Sequence, residues 1–138
     1  MPKKTAAPRK LSAHEQHTLD IEIGFLEGVV RRDPQFIEAL QILGDDYTQR
    51  GRFADGLKVD ERLTRLHPDD ALAHYNLACS YALTGQCEHA AAAINAALDR
   101  GYSDLKWLRR DPDLKNLRQH PLYRKIRARI REILARAE

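Results

Sequence analysis

Apolar residues recur at steps of three and four through most of the chain, and proline or glycine closes each run. Leu19, Ile23, Leu26 and Val30, flanked by Ile21, Phe25 and Val29, predict a long helix from Ser12 to about Arg32. Ser12 is set to cap it, and Glu15 three residues on completes a capping box. The apolar stripe is wide, which predicts cover on more than one side. Asp33-Pro34 ends the helix, because proline disfavours helical geometry in the residue before it. Phe36, Ile37, Leu40, Leu43 and Tyr47 predict a second helix, with Gly51 as its left-handed cap. Phe53, Leu57, Val59, Leu63 and Leu66 predict a third. Pro68-Asp69-Asp70 opens a fourth, lined by Leu72, Tyr75, Leu77, Ala78 and Tyr81. A fifth, alanine-rich from residue 90 to 98, ends at Gly101, and its small residues predict close helix–helix contact. Two short helices broken at Pro112 then lead to a last one opened by Pro121. That helix sets Leu122, Ile126, Ile130, Ile133, Leu134 and Ala137 on one face, and Arg124, Lys125, Arg127, Arg129, Arg131 and Arg136 on the rest. An apolar inner face and a polar outer one suit the closing helix of a stacked array.

The second and third helices come back as the fourth and fifth. Leu43, Tyr47 and Gly51 match Leu77, Tyr81 and Gly85; Gly44 matches Ala78, Gly56 matches Ala90, and Pro34 matches Pro68, all at an interval of 34 residues. Leu40-x-x-Leu43-Gly44-x-x-Tyr47 resembles the W-x-x-L-G-x-x-Y pattern of the tetratricopeptide repeat, with Leu in place of Trp. The stretch Asp111-Pro112-Asp113-Leu114-x-x-Leu117-Arg118 resembles the modified closing repeat of bacterial proteins of that family. The resemblance implies an all-α fold, a right-handed α-solenoid of antiparallel helix pairs in one domain over residues 12–138. Its parts would be an N-terminal helix (12–33), repeat 1 (34–67), repeat 2 (68–101) and a deformed repeat with a capping helix (102–138). Gly44 would let the partner helix approach closely. Asp60 and Leu63 depart from the usual Phe and Ala, which bears on local packing.

Composition narrows the function classes. At 43% hydrophobic and 31% charged residues the chain is an ordinary globular one. No apolar run reaches the length of a membrane span. The basic residues 1–11 read as a disordered tail with no apolar segment behind it, so no secretory signal is expected. Cys79 and Cys87 are too few for a disulfide framework, which predicts reduced thiols and a cytoplasmic protein. The nucleophile elbow, phosphate-loop, dinucleotide and zinc-protease patterns are all missing. His14 and His17 stand three apart without an evident third ligand. No enzymatic activity, cofactor or metal is therefore expected.

The resemblance implies a concave groove lined by the first helix of each repeat, where family members commonly hold peptides. Carried onto this chain, the register gives Gln41, Asp45 and Thr48 in repeat 1, Tyr75, Asn76 and Cys79 in repeat 2, and Lys106 and Arg110 beyond, with Arg109 beside them. Such a groove is acidic at one end and basic at the other. Asn76, Lys106 and Arg110 stand at three of the five places of the carboxylate clamp of chaperone-binding members; Gln41 and Asp45 occupy the other two, and Asp45 would repel a carboxylate. The expected function is a non-catalytic scaffold for a protein or peptide partner. Two other classes stay open: a homo-oligomer built on the apolar first helix, and nucleic-acid binding through the basic termini, with a steep salt dependence.

Overall fold

The structure is a computed structural model that describes residues 10–137; all but the last two residues of the expected basic tail lie outside them. The helices follow the predicted order. They are α1 (Ala13–Arg32), α2 (Ile37–Gln49), α3 (Phe53–Leu66), α4 (Ala71–Leu83), α5 (Cys87–Asp99), α6 (Leu105–Leu108), a 3-10 turn (Pro112–Leu114), α7 (Lys115–Arg118) and α8 (Tyr123–Arg136). No strand is found among the described residues. Local chemistry sets the bounds. Ser12 Oγ accepts from the Glu15 amide at 3.1 Å, and the Ser12 amide donates to Glu15 Oε1 at 3.1 Å, closing the capping box. Gly51, Gly85 and Gly101 have φ of 81°, 78° and 92°, the left-handed region that ends a helix at little steric cost.

Consecutive helices from α1 to α5 pack in antiparallel pairs, and α7 and α8 close over α5. The result is an α-solenoid of tetratricopeptide-like helix pairs. Its apolar core lies in two clusters. One joins α1, α2 and α3 around Ile23, Leu40, Leu43 and Leu63; the other runs from Tyr75 through α5 and the closing segment to Ile130. Between them the seam of α3 and α4 is polar: Ser80 Oγ donates to the buried Asp60 Oδ2 at 2.5 Å. The departure at Asp60 is thus matched by a hydroxyl from the next repeat.

Two expectations need correction. Gly44 abuts α3, yet an added Cβ would stand 3.4 Å from Val59 Cγ1 and Asp60 Oδ1, an ordinary contact. Alanine fits there, as Ala78 does one period later. The wide stripe of α1 is not covered on a second side: Ile21 and Phe25 are 61% and 70% exposed. A full repeat would bury that side on its own first helix, and the chain supplies none among the described residues. In α8, Tyr123, Ile126 and Ile130 are buried and Leu134 stays exposed. Three of its arginines have partners: Arg129 bonds Asp99 and Asn95, Arg136 bonds Glu132, and Arg127 lies over the Tyr123 ring.

Candidate functional site

On α2, Gln41, Asp45 and Thr48 fall on one face because they are four and three residues apart; Asn76, Cys79 and Leu83 do the same on α4. The packing of α3 between the two helices brings these faces together over one narrow crevice. Its volume is about 20 Å³, room for a water and not for a side chain. Thr48 is buried, and its hydroxyl donates back to the Gly44 carbonyl at 3.0 Å. Gln41 is exposed and Asp45 half-buried, so the polar rim of the crevice lies on α2. Asn76 is half-buried; its Oδ1 atom is enclosed yet accepts no hydrogen bond from the described residues. A buried acceptor without a donor is destabilising by about 1–3 kcal/mol.

Tyr75 and Cys79 belong to the interior. The Tyr75 ring stacks on Tyr102, centroid to centroid 4.2 Å at 1°, and its hydroxyl donates to Asp111 Oδ2 at 2.7 Å. The Cys79 thiol donates to the same oxygen at 3.7 Å, and Asp111 Oδ1 accepts from the Asp113 amide at 2.9 Å. Burial, with the neighbouring Cys79 and Asp111, holds the Tyr75 phenol far above its ordinary pKa. Cys79, Asp111 and Asp113 carry ligand-type atoms within 4.8 Å of one another, but hydrogen bonds to Tyr75, Cys79 and the backbone already occupy both oxygens of Asp111. The cluster fastens the closing segment to α4, and Asn116 adds a bond to the Ala82 carbonyl at 3.2 Å. Sequence reading missed this role. The only signal was Asp111-Pro112-Asp113, read as a helix break when Asp111 is also a buried cap.

Lys106, Arg109 and Arg110 are exposed on α6 and the turn after it. They do not line the crevice with Gln41, Asp45 and Asn76. The structure therefore groups Gln41, Asp45, Thr48, Asn76 and Cys79 in one place, puts Tyr75 in the core, and leaves the three cations in solvent.

Helix pairs, a left-handed glycine after each of α2, α4 and α5, and a capped closing segment make a tetratricopeptide-like helical-repeat fold. No protein-family profile matches the chain. It is 32% identical over 96 residues to a chloroplastic protein of Arabidopsis thaliana, which takes in 67% of this chain and 27% of that protein. It is 31% identical over 90 residues to the peroxisomal targeting signal receptors of Komagataella phaffii and Komagataella pastoris, covering 64% of this chain and 16% of each receptor. The chain thus spans about a quarter or less of the length of these curated relatives. Among the described residues no helix is long and apolar enough to cross a membrane.

Proposed function

We propose that this chain is a non-catalytic interaction module that holds an extended segment of a partner protein across α2 and α4, along Gln41, Asp45 and Asn76. The observation that carries the reading is Asn76 Oδ1, an enclosed acceptor with no donor among the described residues, beside the exposed Gln41. A water fits the crevice and would link this acceptor to a segment bound at its rim, along Gln41 and Asp45. Thr48 and Cys79 wall the crevice, while Lys106, Arg109 and Arg110 are exposed on α6 and the turn after it, outside its lining. The likeness to receptors for a targeting signal supports a role in protein recognition. Both cysteines are free thiols, which suits a reducing compartment such as the cytoplasm. The bacterial style of the closing segment belongs to the same reading and rests on its D-P-D-L-x-x-L-R stretch. The test is a photo-crosslinking residue placed at Gln41, with Lys125 of α8 as the control position. Discrete adducts from position 41 alone support the groove; adducts from position 125 alone, or equally from both, overturn it.

A second reading rests on α1. Ile21 and Phe25 are exposed on the side where Gly24 and Gly28 also lie. Glycine within a helix is destabilising by about 0.5–1 kcal/mol relative to alanine, and an added Cβ at Gly24 would meet nothing within 4 Å. Close approach by α1 of a second copy would account for both features. Sedimentation should then show a dimer that Phe25→Glu converts to a monomer; equal masses for the two proteins contradict it.

A further inference from the structure

On the other side of α2, away from Gln41 and Asp45, a cavity of about 530 Å³ opens between α1 and α3. Leu40, Leu43 and Val59 form its floor, and Arg31, Lys58 and Arg62 stand on its walls. The volume falls in the range of about 300–1,000 Å³ usual for ligand sites. The same place one period later is filled differently. Leu40 and Leu66 correspond to His74 and Arg100, which both bond the Pro68 carbonyl, at 2.8 and 2.6 Å. Lys58 and Arg62 correspond to Ala92 and Ala96. The first junction of the array therefore lacks the polar bridge of the second and carries Lys58 and Arg62 where the second has alanines.

The charges of the cavity are not balanced. Its two acids are engaged: Glu27 accepts from the Tyr47 hydroxyl at 2.5 Å and lies 3.7 Å from Arg52, and Asp55 pairs with Arg52 at 2.9 Å. Arg31, Lys58 and Arg62 make no ion pair among the described residues. Three cations over an apolar floor complement a group that is anionic at one end and apolar at the other. Guanidinium groups match the geometry of a carboxylate.

We propose that this cavity is a binding site for an apolar residue of a partner chain that carries or adjoins a carboxylate. The apolar side chain lies against Val30 and Pro34, over the buried Leu40, Leu43 and Val59, and the carboxylate faces Arg31, Lys58 and Arg62. The site is separate from the crevice at Asn76, and either can fail alone.

The test uses the full chain and three probes: N-acetylphenylalanine, its amide, which lacks the carboxylate, and N-acetylglycine, which lacks the ring. Amide chemical shifts are followed through each titration. The acid should give saturable shifts on α1 and α3 at millimolar concentration, and both other probes should bind at least tenfold more weakly. Lys58→Glu with Arg62→Glu should weaken the acid at least tenfold while helicity and melting temperature hold. Lys58→Gln with Arg62→Gln should do the same in part, so that a folding defect in the reversed-charge variant cannot mislead. Equal binding of acid and amide, no saturable shift, or shifts confined to Gln41 and Asn76 would overturn the site. Tighter binding of dodecanoate than of N-acetylphenylalanine would overturn the peptide assignment in favour of a free amphipathic anion.

Discussion

Asp111 shows how much one side chain can decide. It is buried, and it takes hydrogen bonds from the Tyr75 hydroxyl, the Cys79 thiol and the Asp113 amide. Removing it in Asp111→Ala strands a buried phenol and uncaps the 3-10 turn, so urea unfolding should show a loss of about 3 kcal/mol or more. Tyr75→Phe removes one bond and keeps the stacking, and should lose about 1 kcal/mol. A second prediction concerns the phenols together. Burial is the largest cause raising Tyr47, Tyr75, Tyr81, Tyr102 and Tyr123 above their ordinary 10.0. Below about pH 10 folded and unfolded chains hold the same phenolic protons, so nothing is lost there. Above it the unfolded chain releases protons that the folded chain keeps, and stability falls as pH rises. Tyrosinate absorbance should therefore appear together with the loss of helical circular dichroism. Ionisation near pH 10 with the helices intact would contradict this. Tyr75 also marks where the sequence misleads: its register fits a groove position, but Tyr102 and Asp111 cover it from 27 and 36 residues away, and no local pattern carries that contact.

At the scale of elements, the helices themselves were legible. Capping at Ser12, proline after Asp33 and glycine after α2, α4 and α5 are local chemistry, and the bounds follow from them. Packing between elements was legible only in part. Asp60 sits where an aromatic ring was expected, and its partner Ser80 lies in the next repeat. Ser80→Ala should be destabilising by about 1–3 kcal/mol, because it leaves a buried carboxylate short of a donor. Asp60→Leu together with Ser80→Ala should recover most of that loss in the same denaturation measurement, since both partners become apolar. For α1, Gly24→Ala should stabilise the monomer by about 1 kcal/mol, read as a higher melting temperature at low concentration. An unchanged or lower value would mean that the glycine already has a structural partner.

The whole molecule is two apolar clusters joined by a polar seam, with different surfaces on the two sides of α2. The period of 34 residues made the solenoid legible, because each repeat buries its apolar face mainly on the next. The candidate crevice was legible as far as Gln41, Asp45, Thr48, Asn76 and Cys79, which share helix faces. Lys106, Arg109 and Arg110 were set by carrying the register past Gly101, where α6 shortens to four residues and the repeat geometry stops. The cavity between α1 and α3 was not legible at all, since it depends on what two junctions do differently with the same positions. Asn76 stands at the centre of the proposed binding face, and one substitution separates its part in folding from its part in binding. Asn76→Ala removes an enclosed acceptor that takes no hydrogen bond from the described residues, so folding stability should hold or rise slightly. The affinity for the partner segment captured at position 41 should fall at least tenfold. An unchanged affinity in a folded Asn76→Ala protein would contradict the reading of this face as the binding surface.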